Sequence, residues 1–179
     1  MKILRGSIFI ILIALCSSAS AHSSDANLSK AKEIAKTYMT AFFHGDLDLS
    51  FSLMDQDSLK NQKLAIENQY KRSVKNGNSD ELEKQFRGID NFSELLKLPA
   101  NKFWATIAEK SRDQTNPELL LAMKKSIVNV SDSSLLDDGD AKVMLEITIP
   151  EQDGSNFTQN VGLILTIKNG GWVVLRNVN

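Results

Sequence analysis

The apolar positions of this chain follow two periods, and the change between them falls near Lys125. Upstream, apolar residues recur at steps of three and four; downstream, they alternate. Leu28, Ala31, Ala35, Tyr38 and Phe42 form one stripe of an amphipathic helix, with Lys30, Lys32, Glu33 and Lys36 elsewhere around it. The pattern predicts a loose tail over 22–26, a cap at Asn27 or Ser29 and a stop at Gly45. Asp46 suits the N-terminal end of a second, short helix carrying Leu47, Leu49, Leu53 and Met54. A longer helix is expected from Asp57 or Ser58 to about Asn76, closed by Gly77. Its buried side is read as Leu59, Ile66, Tyr70 and Val74. Its wet side is read as Lys60, Lys63, Glu67, Lys71 and Lys75, with Glu67 and Lys71 an i,i+4 pair. Shorter helical stretches follow: one with Leu82 and Phe86, one with Leu95 and Leu96 and, beyond Pro99, one with Phe103, Trp104 and Ile107. Pro117 fits the first turn of a last helix, Glu118 to Lys124, capped by Asn116.

The downstream part reads as four strands. Ile127 to Val130 is the first, followed by the turn Asp137-Asp138-Gly139-Asp140. Ala141, Val143, Leu145, Ile147 and Ile149 then alternate with Lys142, Met144, Glu146 and Thr148. After a polar turn over Pro150 to Asn156, Val161, Leu163, Leu165 and Ile167 alternate with Asn160, Gly162, Ile164 and Thr166. Asn169-Gly170-Gly171 is a hairpin turn before the last strand, Trp172 to Val178. Sequential strands on short polar turns make an antiparallel meander. Helices first and strands second predict an α+β fold, with the N-terminal helices on one face of a curved four-stranded meander. The middle section, about 59–117, is helical.

The first 21 residues add a location. Lys2 and Arg5 precede the apolar run Ile8 to Leu15, and Ala19-Ser20-Ala21 is a small-residue cleavage site. That order is expected of a secretory signal peptide. The run is too short to span a bilayer, which takes about 20 apolar residues. Cleavage after Ala21 leaves 158 residues, 22–179, expected to form a single domain in the periplasm or outside a bacterium, with no membrane span. The only cysteine, Cys16, leaves with the signal peptide, so this domain forms no disulfide and is held by packing. Without Lys2 and Arg5 it carries 19 basic against 22 acidic residues, a net charge of −3 that gives no support for a nucleic-acid partner.

The opening helix with its exit, Ala35-x-x-Tyr38-x-x-Ala41-Phe42-x-x-Gly45-Asp46, followed by Leu53 and Asp55, and the meander ending Asn169-Gly170-Gly171-Trp172, resemble the nuclear transport factor 2-like superfamily, the cystatin-like α+β cone. The likeness covers roughly 28–58 and 118–179; the middle is longer and more helical than in the usual member. The resemblance implies a pocket where the concave face of the sheet meets the helices, with an acid–base residue inside it in the enzymatic relatives. It leaves the function open among isomerases, dehydratases, hydrolases, carriers and adaptor domains.

The positions expected to line such a pocket, Val143, Leu145, Ile147, Val161, Leu163, Leu165 and Ile167, are not titratable. Gln159 is the polar residue of that register, joined from the first strand by Asn129. General acid–base chemistry needs a titratable group within hydrogen-bond reach of a substrate, and this argues against an enzyme. His44, beside Asp46, is the remaining acid–base candidate. One histidine besides His22 and no cysteine do not make a zinc site, and Asp137-Asp138-Gly139-Asp140 lacks the spacing of a calcium loop, so no metal or cofactor is expected. Tyr38, Phe42, Phe103 and Trp104, with Gln159, are the candidate lining for an apolar ligand. Met144, Ile164, Val173 and Leu175 put apolar surface on the sheet's other face, where a second subunit or the chain's own middle helices would cover it. The leading expectation is an exported, non-enzymatic domain that binds an apolar small molecule in the cone or an envelope protein on the sheet. The alternatives are a small periplasmic isomerase or hydrolase using His44 and Asp46, and a structural subunit of a cell-envelope assembly.

Overall fold

The computed structural model describes residues 6–79, 84–86, 88–151 and 153–178, with side chains from residue 25 onward. Leu82 of the expected short helix, and Lys2 and Arg5, lie outside the described residues. Helix α1 spans Gly6–His44. No glycine or proline falls between Ser7 and His44, so nothing breaks the helix, and it runs on through Asn27 and Ser29 rather than starting at either. The expected loose tail over 22–26 is therefore helical. Gly45 ends α1 at φ +91°, where its own N–H and that of Asp46 both donate to the Ala41 carbonyl.

Helix α2, Leu47–Ser52, is capped by Asp46, whose Oδ1 accepts from the Leu49 N–H at 3.2 Å. Helix α3, Gln56–Lys75, is capped by Asp55, which accepts from the Ser58 N–H and, at 2.7 Å, from Ser58 Oγ. Helices α4, Phe92–Leu95, and α5, Ala100–Asp113, flank Pro99, and α6, Pro117–Lys124, starts under the Asn116 cap. Strands β1, Ile127–Leu135, β2, Ala141–Pro150, β3, Asn156–Lys168, and β4, Gly171–Val178, form one antiparallel sheet in the order β1-β2-β3-β4. The fold is thus α+β, with the helical half preceding the meander and α1 lying across one face of the sheet.

The register reports which side chains face α1. Val128, Val143, Leu145, Ile147, Leu163, Leu165, Trp172 and Val174 are buried there against Ala31, Ala35, Tyr38, Met39 and Phe43. These side chains pack into one continuous cluster between helix and sheet. Bulges at Ser131 and Leu175 bend the outer strands and change their phase. The first strand runs five residues past its expected end at Val130, because pairing with β2 carries the polar stretch Ser131 to Ser134. Asn129 pairs with Glu146 on the outer face and is exposed, so it does not join Gln159. Ile167 shares the inward phase but, next to the hairpin turn, is 48 % exposed, while its partner Trp172 across the hairpin is buried.

Middle helices α3, α4 and α5 enclose a second core of Phe92, Leu95 and Phe103, with Ile66, Tyr70 and Trp104 around it. Phe86 and Tyr70 stack on Phe92 with ring centroids 4.8 and 5.0 Å apart. Trp104 Nε1 donates to the Leu59 carbonyl at 3.2 Å. Two expectations for α3 are corrected. Val74 is 52 % exposed, because it lies past the end of this core. Lys63 and Glu67 belong to the inner side: their side chains are 14 % and 23 % exposed and pair with each other, so Glu67 does not pair with Lys71. The Lys63 ammonium stands 5.8 Å from the centre of the Phe103 ring, its stem covering apolar surface.

The segment Leu53–Asp55 runs beside β4. The Val174 N–H donates to the Leu53 carbonyl and the Asp55 N–H to the Val174 carbonyl, at 2.9 and 2.8 Å, closing part of that sheet edge. Burial pushes the Asp55 carboxyl up, but its bonds from Ser58 and the charge of Lys168 outweigh that and hold it below the usual carboxylate range. A depressed folded pKa contributes stability above the unfolded value, near 4, which is lost as pH falls through the folded pKa. Asp55→Ala is expected to cost about 1 kcal/mol at pH 7. In urea titrations the gap between the two proteins closes as the pH is lowered below about 4.

Candidate functional site

Two hollows flank the C-terminal end of α1. The first, of about 540 Å³, is polar and lies among the α1–α2 turn, α5 and α6, with His44, Asp46, Asp48, Lys102, Glu109 and Arg112 in its wall. Four of its charged side chains and its histidine are engaged. The His44 ring donates through Nε2 to the Ser126 carbonyl, 3.1 Å away. Asp46 is occupied in capping α2, and Lys102 pairs with Asp48. Arg112 donates from Nη1 to the Phe42 carbonyl at 2.9 Å and from Nη2 to the Phe43 carbonyl at 3.2 Å. A guanidinium there satisfies carbonyls that the end of α1 leaves open and opposes the negative end of its dipole. Gly45 is required beside it: a Cβ at that position would lie 3.3 Å from Arg112 Nη2, on a backbone of φ +91°.

These contacts give His44 and Asp46 structural tasks, and no described hydrogen bond or ion pair joins one to the other. Among the described residues, no group of three or more His, Cys, Asp or Glu is placed to hold a metal ion. Arg112→Met is expected to lower stability by about 2 kcal/mol, because two carbonyls lose charged donors. The check is the urea midpoint, with Lys110→Met as a control of near-zero effect: Lys110 makes only a surface ion pair, to Asp113 at 3.7 Å.

The second hollow, of about 520 Å³, is an apolar groove at the end of the helix–sheet sandwich. Phe43 and Ile149 form its floor. Leu119, Ala122 and Met123 of α6 form one wall and Phe157 of β3 the other, with Gln159 between. Local sequence explains the groove. Helix α6 has only eight residues, and Leu119, Leu120 and Leu121 point to more sides than one short contact buries, so none of its residues is fully buried. Leu119 stays 47 % exposed and Phe157, opposite Ile149 at the mouth of the sheet, 50 %. Gln159 faces inward, paired with Ile147, and is half-buried. Glu118 and Glu151 stand on the rim.

The candidate ligand residues are divided by this geometry. Gln159 lines the groove, and Phe42 packs at the edge of the main core beside Phe43. Tyr38 is buried under the sheet, and burial pushes its hydroxyl pKa up. Phe103 and Trp104 meet edge-on in the second core, so the four aromatic residues do not share one cavity. The groove residues Phe43, Leu119, Met123, Ile149 and Phe157 lie outside the sequence candidates for ligand binding. The readable signal was the run Leu119-Leu120-Leu121 on so short a helix.

On the outer face of the sheet, Ile164 is buried while Met144, Val173 and Leu175 are half-buried. Among the described residues, the middle helices pack mainly on α2 and on one another. The strands close part of the outer face themselves. Met144 lies over Gly162, where an added Cβ would stand 2.7 Å from the Val178 carbonyl oxygen and 3.0 Å from Met144 Sδ. Leu175 is the bulged residue of β4, which takes it out of simple alternation. Among the described residues, no helix is long and apolar enough to cross a membrane.

No protein-family model matches the sequence, and neither a curated protein nor a solved structure matches it.

Proposed function

We propose that the protein is an exported, non-enzymatic binding domain of the nuclear transport factor 2-like kind, and that it holds an apolar small molecule in the groove between α6 and the β2–β3 end of the sheet. The groove carries this reading. Its volume, about 520 Å³, falls in the range of small-molecule sites, and its floor and walls are apolar with one amide, that of Gln159, among them. Apolar surface and an amide hold a ligand; neither moves a proton. Helices lying on one face of a four-stranded meander support the superfamily resemblance. Export is supported by the signal-like order of residues 1–21.

The test is binding of a neutral apolar dye, N-phenyl-1-naphthylamine, read by its fluorescence. The purified protein is expected to bind it saturably. Phe157→Ala removes an exposed wall, so it is expected to weaken binding about tenfold while leaving the thermal midpoint nearly unchanged. Unsaturable binding, or binding indifferent to Phe157→Ala, contradicts the proposal.

A further inference from the structure

Resting on the groove as a binding site, we infer that its occupant is amphiphilic and positively charged: an apolar chain or ring system ending in an ammonium group. The chemistry of the rim carries this. The groove has a carboxylate on each side of its opening, Glu118 at the first turn of α6 and Glu151 in the turn after β2. No basic side chain is among its lining residues. Lys125 lines a smaller adjoining hollow that shares Glu118 and Glu151, so the two carboxylates outnumber the one ammonium across the combined opening. Glu118 is exposed and, among the described residues, forms no ion pair; the helix N-terminus beside it is capped by Asn116. Glu151 accepts a hydrogen bond from Ser155 Oγ, which positions it without neutralising it.

A ligand with its apolar body on Phe43, Met123 and Phe157 leaves its polar end between these two carboxylates. There an ammonium gains two attractions and a carboxylate meets two repulsions. The exposed rim weakens both but leaves their signs unchanged. Gln159, further in, offers both a donor and an acceptor and does not choose between charges.

Competition among three ten-carbon ligands tests the inference: decylammonium, decanol and decanoate, each kept below its aggregation concentration, displacing N-phenyl-1-naphthylamine from the purified protein at pH 7. The expected order is decylammonium, then decanol, then decanoate, with about a tenfold gap between the charged pair at low salt. The gap is expected to shrink in 0.5 M NaCl and in the double variant Glu118→Gln, Glu151→Gln. Displacement by all three with decanoate equal to or better than decylammonium overturns the charge inference and leaves the groove reading standing. A gap unchanged in the double variant also overturns it, because the preference then comes from elsewhere. Failure of the dye to bind, or binding insensitive to Phe157→Ala, overturns the groove reading and this inference with it.

Discussion

Phe103→Ala is expected to cost about 3 to 5 kcal/mol, one of the two largest single effects in the molecule. Phe103 has no exposed surface and sits where α3, α4 and α5 meet. Removing its ring leaves a cavity bounded by helices that are themselves fixed at other points, Trp104 through its bond to the Leu59 carbonyl and Phe92 through its stack with Tyr70 and Phe86. Collapse into the space is therefore limited. The Trp104 edge contact, 5.1 Å between centroids, is lost as well, and so is the aromatic face beneath the Lys63 ammonium. Urea unfolding followed by tryptophan fluorescence measures the loss. A shift of less than about 1 kcal/mol would show that the middle helices hold together without this residue.

Leu145→Ala is expected to cost a similar amount, about 3 to 5 kcal/mol, in the other core. Leu145 lies at the centre of the sheet, paired with Val130 on one side and Val161 on the other, and α1 covers it completely. Neither neighbouring strand has freedom to move in, because both are hydrogen-bonded to β2. Ile167→Ala is the matched control. The same alternation places it inside, but it is 48 % exposed, and its loss is expected to stay within about 1 kcal/mol. Equal effects from the two substitutions would contradict the difference in burial between them.

The contrast between these two residues shows what the sequence made legible. The period of two identified β2 and its inward face from Ala141 to Ile149, because alternation is a direct consequence of the pleat. It does not report how far the rest of the chain covers each inward position, which is a tertiary fact, and so it places Ile167 inside. The bulges at Ser131 and Leu175 were hidden for the same reason: each inserts one residue through pairing with a neighbour, which no local pattern reports. Charge puts Lys63 on the wet side of α3, yet it stands four residues from Leu59, three from Ile66 and seven from Tyr70, on the apolar stripe itself. Spacing placed it correctly and residue type did not. Asp46, Asn116, Gly45 and Pro117 were readable as caps and stops because their effect is local. The groove was only partly readable: Gln159 followed from its register, while the walls depend on how α6 meets β2 and β3.

The proposed ligand site is tested most directly by methyl NMR of protein labelled at its methionine methyl groups, titrated with decanol. Met123 lies in the groove wall, Met144 on the outer face of the sheet, and Met39 and Met54 in or against the main core. They thus report on three places: groove, outer face and main core. The binding reading predicts a saturable shift of the Met123 methyl with Met144 unmoved. A saturable shift at Met144 with Met123 unmoved, or no shift at any of the four, would contradict it.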